Sequence, residues 1–389
     1  MTDASAPMAQ VVHLTTVHVP TDNRIAMKEC AALVRAGVSV CLIATGGPAP
    51  EVEGLDFVSL PTRIGRIGRL LRGNIDAWRA LRVKHPRVVH VHDPELIPLA
   101  ALYRTWFGVR AIYDAHEEFG KQIRGKKYIP RPLRLPAALL GHLLEELADR
   151  TLDRVVVATE EVGLRYTGTK VTLVQNYPWR ETFDVTFRPS PPDPQVIAYV
   201  GAISGDRGIA EMIEAVKGCA PGVRLVLAGP ASAEAKEIID RAPPERVEYV
   251  GALPSADVPG VISRAAVGLA VLRPLRNYLR SQPTKVYEYM AAGRPFIASD
   301  FEYWVEMFGP SDSGLFVDPV DTEQLRHAID RLTANPELAQ AMGRRGRTEF
   351  LSRFTFDNEA VRLVELTRTL LQKDQQRSHP GRRYPDPPA

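Results

Sequence analysis

Cysteine is scarce: Cys30, Cys41 and Cys219 are the only three in 389 residues. Their wide spacing makes neither a metal pattern nor a disulfide framework, so a reducing cytoplasm is the expected home. No apolar run reaches the ~18 residues a membrane-spanning helix needs. Residues 1–10 carry Asp3 and no basic cluster, which argues against a secretory leader. Whole motifs are missing too. There is no Gly-x-x-x-x-Gly-Lys-Ser/Thr loop, no His-Glu-x-x-His and no Gly-x-Ser-x-Gly, which excludes P-loop, zincin-type and elbow-type hydrolase sites. No two aspartates stand one residue apart, so a metal-binding Asp-x-Asp is absent. Neither a metal nor a cofactor is expected.

What is present is a soluble globular composition, 45% hydrophobic and 24% charged, with length for two domains. The net charge of +3 is modest, but its distribution is uneven. Arg63, Arg66, Arg69, Arg72, Arg79, Arg82, Lys84 and Arg87 face Asp76 alone, and Lys121, Arg124, Lys126, Lys127, Arg131 and Arg134 face no acid. Such stretches are either solvated faces or a contact with an anionic membrane or phosphorylated lipid. Nucleic acid is not expected, because no helix-turn-helix, zinc-finger or RNA-binding signature accompanies the charge.

Strand-like and helix-like segments alternate, which predicts parallel α/β architecture. Expected strands are 11–15, 38–44, 88–91, 111–114, 154–158 and 171–174. After the proline-dense segment 187–195 they resume at 196–200, 224–228, 247–250, 267–272, 295–299 and 314–317. The expected plan is a first domain over 1–186, a linker over 187–195 and a second domain over 196–355. A helix over 356–372 and a disordered tail over 373–389 follow.

The most informative stretch is Ser281–Ser299, SQPTKVYEYMAAGRPFIAS. Pro283 suits a helix start, and Gly293 with Pro295 stops that helix before a strand. A helix N-terminus with unsatisfied N–H groups and a partial positive charge is an anion site, to which Thr284 and Lys285 belong. Glu288 shares a face with Lys285 and can accept hydrogen bonds from a ribose; otherwise it is a solvent-facing glutamate. Ligands of open parallel sheets bind at the carboxyl ends of the strands. In the second half this places Gly201, Gly229, Gly251 and the Ser204–Gly208 turn at the rim. Arg207 there either grips phosphate or is a surface arginine. In the first half the rim holds His92, Asp93, His116 and Glu117. His18, Asp22 and Arg24 follow the first strand, and Asp22 is alternatively a helix cap. A hydroxyl-bearing acceptor suits the first rim and a phosphate-bearing donor the second.

These residues resemble retaining glycosyltransferases of family 4, a set with the GT-B fold, over nearly the whole chain. Pro20–Ile25, His90–Glu95, Tyr113–Glu117, Tyr199–Gly208 and Pro283–Gly293 carry the likeness. The resemblance implies two Rossmann-like parallel-sheet domains facing each other across a cleft. It implies an acceptor domain first, a nucleotide-sugar domain second and a final helix crossing back. It implies transfer from a nucleotide-diphosphate sugar, UDP- or GDP-linked, with retention and no metal. The saccharide or lipid-linked acceptor would belong to envelope or exopolysaccharide synthesis, in the cytoplasm or peripherally at the inner face of the plasma membrane. Gly201, Arg207, Thr284, Lys285 and Glu288 would bind donor. His116, Arg207 and Lys285 would be catalytic, with Asp22, Arg24, His92, Asp93 and Glu117 towards the acceptor. The leaving phosphate would take the acceptor's proton in a front-face attack. Arg280 stands where many members carry a glutamate, so a preference for an acidic sugar is expected. A sugar-nucleotide epimerase of the same fold and a non-catalytic partner subunit are the rival expectations.

Overall fold

The structure, a computed structural model, describes residues 9–62, 68–115, 131–184 and 192–377. His116, Glu117, Arg63, Arg66 and the lysines and arginine of 121–127 lie outside them. Contacts divide the chain into two units, Met1–Asn176 with Asn358–Ala389, and Tyr177–Asp357.

The first unit is built on a parallel sheet. Its strands are β1 (Val11–Leu14), β2 (Val40–Thr45), β3 (Asp56–Leu60), β4 (Val88–Val91), β5 (Arg110–Ala115), β6 (Arg154–Val157) and β7 (Val171–Leu173). They lie in the order β3-β2-β1-β4-β5-β6-β7. Valine-rich runs such as Val11–Leu14 and Val88–Val91 are buried throughout, as expected of strands covered on both faces. β3 is not among the strands expected from the sequence: it is an edge strand, largely half-exposed, and lacks a continuous apolar run. Helices Asn74–Lys84, Ile97–Phe107 and Arg131–Thr151 connect later strands.

The final helix runs Phe356–Arg377. It continues past the boundary expected from composition, so residues 373–377 are helical, not tail. Asp374 explains the extension: it is buried and pairs with Arg87 at 3.2 Å. Further back on the same helix, Glu359 accepts from the Gln175 N–H at 3.0 Å.

The second unit holds β8 (Asp193–Val200), β9 (Arg224–Ala228), β10 (Val247–Gly251), β11 (Ala265–Ala270), β12 (Phe296–Ser299) and β13 (Gly314–Val317). All are parallel, in the order β10-β9-β8-β11-β12-β13. β8 begins at Asp193, opposite Ala265, so the last three residues assigned to the linker are strand. The chain also enters this unit before residue 187. Tyr177 meets the rings of Tyr287 and Phe354 edge-on, and Phe183 is buried. Residues 185–191 of the proline-dense segment lie outside the described residues.

Candidate active site

In the second unit the site is assembled by helix Thr284–Ala291 and the loops after β8 and β9. Tyr289, fully buried, fixes that helix: its hydroxyl donates to Leu269 O at 2.9 Å and accepts from Val200 N at 3.3 Å. Gly268 makes room, since a Cβ there would come within 2.3 Å of the Tyr289 ring. Trp304 Nε1 holds the entering segment by donating to Ser281 O at 2.7 Å. No side chain caps the helix start at Pro283, so its first N–H groups are left to another acceptor.

Lys285 is buried at this start, and Nζ donates to Tyr199 Oη at 2.9 Å. The phenol donates to Ala202 O at 2.8 Å, and the positive charge of Arg207 stands near enough to oppose the rise that burial gives its pKa. Two cations from segments 78 residues apart are therefore neighbours at the end of β8, one of them bonded to the Tyr199 hydroxyl. Burial, then the nearby Arg207, lowers the Lys285 pKa to about 7, while Glu288 opposes the shift. Cations held this closely favour a shared anion. Gly201 lines the spot, with its φ at 120°, and a Cβ added there would lie 3.6 Å from Lys285 Cε.

In the first unit a different network fills the strand ends. Asp93 Oδ2 accepts from Thr16 N at 2.6 Å, Thr15 Oγ1 at 3.0 Å and Val17 N at 3.2 Å, which shapes the loop after β1. Asp22 Oδ1 takes the N–H groups of Arg24 and Ile25, both at 2.9 Å, and so caps the next helical turn. His18 stands between acids, 3.2 Å from Asp22 and 3.7 Å from Asp93, and the Asp22 bond raises its pKa. It is half-exposed. A pocket of about 240 Å³ opens beside this loop, between Thr16, Val17, Thr45, Leu60 and Thr62.

Residues 23–172 match the family described as glycosyl transferase 4-like domain, and residues 182–349 match glycosyl transferases group 1. The chain belongs to the group 1 glycosyl transferases. It is 28% identical over 169 residues to alpha-D-kanosaminyltransferase of Streptomyces kanamyceticus, covering 42% of this chain and 41% of the relative. It is 27% identical over 190 residues to alpha-maltose-1-phosphate synthase of Mycolicibacterium smegmatis, covering 44% and 47%. The matches thus span less than half the length of these relatives. In fold it is similar to sucrose-phosphate synthase from Thermosynechococcus elongatus, with a TM-score of 0.70, 19% identity and coverage of 94% and 100%. Anabaena HepE in complex with UDP-glucose aligns with a TM-score of 0.69, 12% identity and coverage of 92% and 99%. The fold is GT-B.

Of the site residues expected from the sequence, Gly201, Arg207 and Lys285 are brought together. Thr284 is exposed at the helix start, and Glu288 is half-buried one turn on. Asp22, Arg24, His92 and Asp93 cluster in the first unit, but not alike. Arg24, His92 and Asp93 are buried and Asp22 is half-exposed: Arg24 grips Asp114 through Nε at 3.0 Å and Nη2 at 2.8 Å, and His92 Nδ1 lies 3.1 Å from Asp114. His116 and Glu117 lie outside the described residues. Tyr199 is the member that sequence reasoning missed as a site residue. Its one signal was a hydroxyl-bearing residue in an otherwise apolar buried strand, whose polar tip needs a partner.

Proposed function

We infer that the protein transfers a sugar from a nucleotide-diphosphate donor to a hydroxyl acceptor, with retention at the anomeric carbon. The observation that carries this reading is that Lys285, buried and bonded to Tyr199, has Arg207 as a neighbouring charge beside a helix start that no side chain caps. A departing diphosphate needs charge stabilisation already in place, and two fixed cations with free amides supply it without reorganisation. Metal is not required in this scheme, because those cations do the neutralising. Glu288, on the Lys285 face of the helix, is assigned to the ribose. The solved relative that binds UDP-glucose supports a nucleotide sugar as donor. The names of the two curated relatives specify alpha products, which supports retention if the donor is an alpha-linked sugar nucleotide. His116 is assigned to the reacting sugar on the resemblance alone.

The acceptor is assigned to the first unit, at the His18 loop and its pocket. A lipid-linked saccharide is favoured by Leu135, Leu139 and Leu143, which leave an exposed apolar stripe along helix Arg131–Thr151. Arg280 sits 5.7 Å from the Tyr303 ring centroid, and we assign it to recognition of an acidic donor sugar.

The test is binding and turnover of neutral and uronate nucleotide sugars by wild type and Lys285→Ala. Turnover should fall roughly 100- to 1,000-fold in the variant, with its melting curve retained. Unchanged turnover removes Lys285 from the site. Consumption of donor with no acceptor present would instead favour an epimerase, and tight donor binding without transfer to any acceptor a non-catalytic subunit.

A further inference from the structure

The first unit buries a second set of donor atoms, separate from the diphosphate cations. β1 and β4 are neighbours, and their register sets His13 beside His90. His92 follows two residues later, on the same face. The helical segment Ile25–Cys30 adds Glu29 to them. All four side chains are buried, and one ligating atom from each lies within 4.8 Å of the others. Glu29 Oε2 is 3.9 Å from His13 Nδ1 and 3.9 Å from His90 Nε2, while His13 Nδ1 is 2.9 Å from His92 Nε2. Four donors around a zinc ion with 2.0–2.1 Å bonds stand about 3.4 Å apart, a value these distances bracket.

Two further features point to a cation. Glu29 Oε2 has no hydrogen-bond partner among the described residues, an unusual state for a fully buried carboxyl oxygen. His92 gives Nδ1 to Asp114 and turns Nε2 to the cluster, the carboxylate–imidazole pairing that orients metal-ligating histidines. Arg24 does not cancel the site. It lies 3.0 Å from the other Glu29 oxygen, and its remaining bonds go to Asp114 and Val174 O.

We propose that His13, Glu29, His90 and His92 form a structural site for one zinc-class divalent cation in the core of the first unit. Three imidazoles and one carboxylate suit zinc and related metals better than magnesium or calcium. The ion would tie β1, β4 and the helical segment together beneath the Thr15–His18 loop. The competing account is purely protein: three imidazole rings with centroids 4.5–5.1 Å apart, packed against one another.

The full untagged chain, stripped with chelator, is incubated with zinc alone, desalted and analysed by mass spectrometry for metal. A parallel sample takes cobalt(II) and is read by visible absorption. One zinc per chain and an intense tetrahedral cobalt spectrum are expected. His90→Gln and Glu29→Gln should lose both, and His327→Gln, at an exposed position, neither. Asp114→Asn should weaken zinc binding roughly 10- to 100-fold. Desalted wild type that holds no zinc and shows no cobalt spectrum overturns the proposal, whatever the variants do. Equal zinc in wild type and His90→Gln overturns it too.

Discussion

Lys285 combines burial with a neighbouring cation, and its proton is therefore held weakly. The ordinary value of 10.5 falls to about 7 in the folded chain. Between those values the unfolded chain binds the extra proton, so unliganded stability should rise as pH increases from about 7 to about 10. A diphosphate reverses the preference by stabilising the ammonium. Nucleotide binding above pH 7 should therefore take up a proton, and affinity should fall as pH rises. Calorimetry in buffers of differing ionisation enthalpy reads this directly. Uptake that persists undiminished in Lys285→Met would assign the proton elsewhere. Lys285 itself was legible, because proline and threonine before an apolar-periodic helix mark an anion-binding start. Its low proton affinity was not, since that depends on burial in the folded unit and on Arg207 arriving from the turn after β8.

At the scale of elements, strand ends are stitched to one another by close backbone approach. Gly229, after β9, donates to Gly251 O at 2.7 Å and has a φ of 138°. A Cβ there would fall 2.1 Å from Gly201 O. Gly229→Ala should cost about 2–4 kcal/mol and disturb the loop after β8 that runs from Gly201 to Arg207. Gly251→Ala makes the comparison, since its φ of 80° is strained but no atom lies within 4 Å; it should cost about 1 kcal/mol. Equal urea midpoints for the two variants would contradict this account. Most strands could be read from the sequence because parallel sheets bury both faces and leave continuous apolar runs. β3 escaped because an edge strand need not. The His13–Glu29–His90–His92 cluster escaped for another reason: only the β1–β4 pairing joins residues that stand 77 positions apart.

For the molecule as a whole, the surface of the first unit carries the remaining functional signal. Leu135, Leu139 and Leu143 recur every fourth residue along helix Arg131–Thr151 and are all more than half exposed. Arg72 and Arg79 are exposed on the preceding helical segments, whereas Lys84 and Arg87 are engaged by Asp56 and Asp374. The basic stretch that looked uniform in sequence thus divides into structural pairs and solvent-facing charge. Leu139→Glu with Leu143→Glu should weaken sedimentation with anionic vesicles roughly tenfold or more, from the apolar area withdrawn. Transfer to a water-soluble acceptor should be unaffected. Wild-type vesicle binding in the double variant would remove the stripe from the membrane reading.

The long last helix also has a bearing on biosynthesis. Residues up to Asn176 emerge from the ribosome well before the segment that supplies Glu359 to Gln175, Asp374 to Arg87 and the buried Leu363 and Leu370. The amino-terminal sheet therefore waits through the translation of an entire intervening unit before its own packing is complete. A nascent chain paused in that interval exposes apolar surface that only later codons can cover.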